Sequence, residues 1–240
     1  MKATALSACI ITSIAATAHT ADTPHISQSD PLSAYVWCVD SLSDPESLLP
    51  LFRSEEIAEC TKQRMRGLSY PSNCTVPWSD LRYLFLPHYD GHGNIRIGEM
   101  VCNKAIADDL IQIFREPYRQ RYPIERMQLI DNFGADDQAS MAANNTSCFN
   151  FRLIDGSKRL SRHALGMAVD INPLYNPYVR TIDGRKVITP IEGAPYADRS
   201  RRDIPFKITL SDPAYRLFRA RGFRWGGSWR TRKDYQHFQK

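Results

Sequence analysis

Apolar and polar positions alternate from Met167 onward: Met167, Val169 and Ile171 fall on one face of a short strand, and Ala168, Asp170 and Asn172 on the other. Elsewhere the period changes. Between Asn103 and Glu116, the residues Ile106, Ala107, Leu110, Ile113 and Phe114 recur at the spacing of one helix face, with Asn103 as cap and Pro117 as the stop. A second helix is predicted from Ser211-Asp212-Pro213 through Tyr215 and Phe218, closed by Gly222. Trp78 to Val101 reads as two apolar runs around the turn DGHGN at 90–94, a hairpin or strand-loop-strand in which His88 and His92 are expected on the surface. Ile124 to Ile130 reads as a short β-like run, Asp131 to Ser147 as a polar loop, and Phe149 to Arg152 as a strand leading toward the alternating stretch. Beyond Pro173 a Pro- and Gly-containing excursion to Pro205 is expected to run over the surface.

The pattern before Trp78 is different. Met1-Lys2 is followed by an apolar, small-residue run ending in Ala16-Thr17-Ala18, which fits an export signal over residues 1–18 better than a buried helix. A lipoprotein-like box at Leu6 to Cys9 is the minor alternative. No other segment is apolar enough for long enough to span a bilayer. Residues 19–34 are polar and read as a flexible leader; Ala34 to Arg66 turns helical, and the turn-rich stretch Leu68 to Val76 is the best boundary. The chain therefore divides into a signal peptide (1–18), a leader and helical prelude (19–75) and a main domain (76–240).

Composition changes little in this picture. With 240 residues, 42% hydrophobic and 24% charged, the chain is ordinary globular material with room for a sizeable core. The net charge of +5 is modest, and without a clustered basic patch a nucleic-acid partner is not expected; Arg199 to Arg202 reads as a solvated loop. Export would leave Cys38, Cys60, Cys74, Cys102 and Cys148 in an oxidising compartment, where two disulfides and one leftover thiol are expected. No C-x-x-C spacing supports metal binding by these cysteines.

The chemistry concentrates in two His/Asp pairs: His163 with Asp170, and Asp234 with His237. A carboxylate inside so apolar a strand is costly to bury unless it is paired, hydrogen-bonded or metal-bound. His163, Asp170 and His237 offer two nitrogens and one oxygen, the donor types of a catalytic zinc that keeps a position for water, and Asp234 is then left as a base. On a regular strand Asp234 and His237 point to opposite faces, so the arrangement demands a bend between them. Spacing alone leaves open the plainer reading of two hydrogen-bonded structural pairs.

Residues 144–173 and 222–238 resemble the two signature blocks of the VanY-like zinc peptidases, which comprise D-alanyl-D-alanine carboxypeptidases and L-alanyl-D-glutamate endopeptidases. The first block, S-x-H-x-x-G-x-A-x-D, is matched by Ser161, His163, Gly166, Ala168 and Asp170; the second by Asp234 and His237 after Trp225-Gly-Gly-Ser-Trp229. The resemblance implies one zinc held by His163, Asp170 and His237, with Asp234 as general base and Arg152 steadying the substrate carbonyl or oxyanion. It places Ser161, Trp225 and Trp229 at the substrate, although Ser161 reads equally as a turn residue and at least one tryptophan is expected in the core. The implied fold is α+β, a small antiparallel sheet carrying the site with helices around it and the helical prelude attached. The implied protein is an exported, monomeric peptidase of the periplasm or cell wall acting on peptidoglycan stem peptides. A zinc-containing wall-binding or signalling domain without catalysis is the alternative.

Overall fold

The computed structural model describes residues 45–154 and 156–240, together with the backbone of Trp37–Cys38. The expected signal peptide, the leader and Cys9 lie outside the described residues. The fold is α+β, as expected. Its largest sheet is antiparallel in the order β1-β4-β3-β2, built from β1 (Trp37–Cys38), β2 (Arg53–Glu55), β3 (Leu81–Tyr89) and β4 (Ile95–Asn103). The β3–β4 hairpin is the one the DGHGN turn predicts. Asp90 accepts from the backbone N–H of His92 and Asn94 (2.9 Å each) and so closes the turn.

Alternation in the hairpin supplies two cores. Leu84, Leu86, Met100 and Cys102 face helix α2 (Lys104–Arg119), whose stripe of Ile106, Leu110, Ile113 and Phe114 is fully buried. Each such side chain contributes roughly 1.5–3 kcal/mol by leaving water. The opposite face carries Leu81 and Val101, against which Ile57, and Met65 of α1 (Glu59–Met65), pack. On that face Glu99 is buried and receives two hydrogen bonds from Arg64 of α1 (2.9 and 2.6 Å) and one from the Tyr83 hydroxyl (2.6 Å). Burial and the Glu99 carboxylate push the Tyr83 phenol well above its ordinary pKa.

After α2 the chain runs through β5 (Arg126–Met127), α3 (Asp137–Ala142) and β6 (Asn145–Thr146), with β5 and β6 parallel. Two small antiparallel sheets follow. One has the order β10-β12-β7, from β7 (Ala168–Asp170), β10 (Arg224–Trp225) and β12 (His237–Gln239); the other has the order β11-β8-β9, from β8 (Tyr178–Ile182), β9 (Arg185–Thr189) and β11 (Arg232–Asp234). Helix α4 (Pro213–Ala220) starts as expected, its first amide donating to the cap Asp212 (2.8 Å to Ala214 N), and buries Phe218 against Phe238 at 4.4 Å.

Several expectations are corrected. Pro117 does not stop α2: its ring is buried, and Tyr118 after it stacks on Tyr89 (5.3 Å) and donates to Pro45 O (2.9 Å), so packing outweighs the lost backbone bond. His88 is not a surface residue; it is 3% exposed in β3, donates from Nδ1 to Leu86 O (3.1 Å), and burial pushes its pKa down to about 4. Residues 149–152 form no strand, and the polar loop 131–147 contains α3, capped by Asp136. The excursion after Pro173 contains the β8–β9 hairpin and is tied down by Arg199, which donates to Tyr175 O, Asn176 Oδ1 and Ile208 O (2.7–3.0 Å) rather than standing in solvent. Cys74, Cys102 and Cys148 are free thiols, which excludes the two expected disulfides because only two of the five cysteines remain. No helix among the described residues is long and apolar enough to cross a membrane.

Candidate metal centre

The sheet β10-β12-β7 builds the site by alternation. Phe238 pairs with Val169, and both are fully buried on the core side. The intervening positions must then face the other way, which sets His237 directly opposite Asp170 and places Gln239 on their face. Ser147 bridges the far edge of β7 through reciprocal bonds with Asp170 (3.1 and 2.9 Å), fixing the backbone of the carboxylate.

His163 arrives from a single 3-10 turn, His163–Leu165. Ser161 shapes that turn: its hydroxyl accepts the His163 amide (3.2 Å) and its own amide bonds Arg152 O (3.0 Å). Gly166 ends the turn in the left-handed region (φ +65°), where a Cβ would lie 2.6 Å from Asn103 N, so only glycine fits. The turn is thereby pressed onto the end of β4.

Three donor atoms converge, all within 4.8 Å of one another: one each from His163, Asp170 and His237. His163 Nε2 lies 3.2 Å from Asp170 Oδ2 and 3.1 Å from His237 Nδ1, which lies 3.0 Å from Asp170 Oδ1. The remaining imidazole nitrogens are held from outside: His163 Nδ1 donates to Cys148 O (2.7 Å) and His237 Nε2 donates to Gln239 Oε1 (3.0 Å). Those bonds hold each ring by its outer nitrogen and aim the inner nitrogen at Asp170. Two imidazoles and a carboxylate so arranged fit a divalent metal such as zinc in donor type and number. Burial alone would raise the Asp170 carboxyl, but the charges and hydrogen bonds of His163 and His237 hold it far below the usual carboxylate range. Burial opposes charge on His237 as well, yet the bond and charge of Asp170 raise it to about 9.

Asp234 and His237 lie on either side of the bend that sequence geometry demands. Asp234 ends β11 and pairs with Tyr178 of β8; three residues later His237 opens β12 in the other sheet. Asp234 Oδ1 is buried without a hydrogen-bond partner, and burial raises the carboxyl to about 6, with His237 opposing the rise. Such an orphaned acceptor beside the three donors is the second sign that the site is built for a further group. Gly226 makes the proximity possible: a Cβ there would stand 2.7 Å from both Asp234 Cβ and Asp234 O.

The other expected residues are placed as follows. Trp229 is half-buried with its ring 5.4 Å from the His237 ring, and lines a cavity of about 260 Å³ with Trp225, Tyr215 and Arg224. Trp225 is otherwise a core residue, donating from Nε1 to Tyr235 O (2.9 Å) and packing on Phe238. Arg152 is not brought to the donor cluster: its guanidinium pairs with Asp137 of α3 and lines a separate cavity of about 440 Å³. Sequence reasoning missed Cys148, which acts through its carbonyl and so leaves no side-chain signal, and Gln239, which was legible only as the position two after a ligand on a strand.

Residues 155–240 match the model of a family described as D-alanyl-D-alanine carboxypeptidase. Comparison with curated proteins and with solved structures finds no significant match. The matched segment, about a third of the chain, carries His163, His237, Asp170 and Asp234, and over residues 155–240 the chain is similar to this carboxypeptidase family.

Proposed function

We propose that the protein is an exported zinc peptidase that hydrolyses peptidoglycan stem peptides, at the L-alanyl-D-glutamate or the terminal D-alanyl-D-alanine bond. One observation carries the reading: a buried carboxylate with an unpartnered oxygen, Asp234, stands beside a closed set of two histidines and one aspartate. His163, Asp170 and His237 would hold one zinc, which when bound supplies Lewis-acid polarisation of the scissile carbonyl and acidifies water. Asp234 takes the proton from the attacking water and returns it to the leaving amine; its raised pKa, about 6, suits a group that must do both near neutrality. With zinc bound, Cys148 O and Gln239 would hold the outer imidazole nitrogens and leave the inward ones to the metal. For Arg152 to steady the developing oxyanion, its guanidinium must exchange Asp137 for substrate. Export rests on the residue 1–18 pattern alone.

The test is hydrolysis of purified stem peptides with and without a chelator, with product masses identifying the bond. Activity retained after complete zinc removal would overturn the proposal. Asp234→Ala is expected to abolish turnover with zinc still bound; loss of zinc would mean that Asp234 is a ligand and not the base.

A further inference from the structure

The chain entering the His163 turn doubles back on itself and is apolar on the outside. Leu153 bridges Leu160 in an antiparallel pair, and one step further along the Ile154 amide donates to Arg159 O (2.8 Å). Seven large apolar side chains are exposed among the described residues, and three of them, Leu153, Ile154 and Leu160, belong to these two short arms. A fourth, Leu68, precedes Ser69, whose carbonyl accepts the Phe151 amide (3.0 Å) at the base of the arms. Exposed apolar residues scattered singly need no explanation, but four gathered in one place mark a surface that something apolar covers. Leu153 and Leu160, directly opposite, share one face, beside the cavity of about 440 Å³ that Phe151 and Pro71 also line, and alternation puts Ile154 on the other face.

The charge around these residues is mostly of one sign. The stretch from Arg152 to Arg162 carries four cations and one acid, Asp155. Arg152 pairs with Asp137, whereas Lys158, Arg159 and Arg162 are exposed and their side chains make no hydrogen bond or ion pair among the described residues. We infer that Leu153, Ile154 and Leu160, with Lys158, Arg159 and Arg162, form a docking surface for an anionic lipid bilayer. A rigid protein partner lying against one face of the paired arms leaves the other apolar face in water, whereas a fluid headgroup layer surrounds the arms and takes up both. The cations then sit at the depth of the lipid phosphates, where each Lys or Arg is worth about fivefold in partitioning, and their aliphatic stems let the charges stay there while the apolar side chains go deeper. His163 follows Leu160 by three residues, at most ~10 Å of extended chain, so docking holds the metal centre beside the bilayer. The inference concerns the surface alone and stands whether or not the centre cleaves peptides.

The experiment is co-sedimentation of the full chain with vesicles of phosphatidylcholine alone and with vesicles one-third phosphatidylglycerol, at low and high salt. It is paired with hydrogen exchange over residues 151–162, a local readout that binding through residues 1–18 does not move. Wild type is expected to partition at least about tenfold better onto the anionic vesicles, to lose most of that preference at high salt, and to exchange more slowly at residues 153–160 when bound. Lys158→Gln with Arg159→Gln is expected to weaken binding about 25-fold, the product of two cations. Leu153→Ser and Ile154→Ser are each expected to weaken it about fivefold, the worth of a half-exposed aliphatic side chain. All of these residues are exposed, so melting temperatures should not move, and they serve as the folding control. Equal binding to neutral and anionic vesicles, exchange at 153–160 unchanged by vesicles, or binding unaltered in the variants overturns the inference. A dimer in solution that Leu153→Ser separates into monomers assigns the surface to a second copy of the chain and overturns it as well.

Discussion

Replacing Gly226 by alanine tests how closely the base and the ligand strand are built together. The added Cβ would stand 2.7 Å from Asp234 Cβ, 2.7 Å from Asp234 O and 3.3 Å from His237 Cβ, whereas unstrained carbon contacts lie at about 3.5–4.0 Å. One of the neighbours must therefore move by about 1 Å. His237 is paired to Asp170 on β7 and its strand is pinned on both edges, by β7 and by β10, while Asp234 is paired on one side only, with Tyr178; the displacement falls on Asp234. A shift of about 1 Å in a catalytic group is worth about 10²-fold in rate, equivalent to ~2.7 kcal/mol of barrier. Overpacking itself costs a further ~1–3 kcal/mol of stability. The expected result is kcat/KM on a stem peptide about 100-fold lower, zinc still bound at one per chain, and a lowered melting temperature. Activity within threefold of wild type would refute the reasoning, and so would loss of zinc, because the displacement would then have fallen on His237.

Gln239→Ala removes the acceptor that fixes the His237 tautomer, and zinc affinity measured by chelator competition is expected to fall 10–100-fold; an unchanged affinity would show that the ring is oriented by packing alone. Glu99→Ala leaves the Arg64 guanidinium and the Tyr83 hydroxyl facing each other across the sheet without their buried anion, and urea denaturation should show a loss of about 3–5 kcal/mol; a loss below 1 kcal/mol would contradict the packing described. Asp90 gives a pH signature: burial would raise its pKa, but hydrogen bonds from Asn94, Arg96 and His92 depress it below the ordinary value. Its contribution is present above the unfolded pKa near 3.9 and fades as pH falls through the lower folded value. The melting-temperature gap between wild type and Asp90→Asn should be widest at neutral pH and close in acid; a gap constant with pH would remove the assignment.

The donor set was legible because its residues sit in two short blocks with fixed internal spacing, and the strand alternation around Asp170 already turned that carboxylate away from the core. The β3–β4 hairpin and helices α2 and α4 were legible for the same reason, through turn chemistry, caps and period. What failed was tertiary. His88 and Arg199 are polar residues beside turns and read as solvent-facing, yet His88 is buried and Arg199 half-buried, each bonded to backbone carbonyls that a local pattern does not reveal. Pro117 was read by its local effect, and the core contact of its ring outweighs it. The pairing of Asp234 with Tyr178 needed a register between strands some fifty residues apart in sequence, which no local signal carries. Arg152 was assigned by resemblance, and nothing local to it reports Asp137 on α3.

The bend between Asp234 and His237 divides the centre between two sheets: the candidate ligands His237 and Asp170 in one, Asp234 in the other. The division makes the site modular. Changes in the Tyr178–Thr189 hairpin alter the neighbours of Asp234 without touching the His237–Asp170 register, so the surroundings of the proposed base can drift, or be redesigned, while the candidate metal set stays in place.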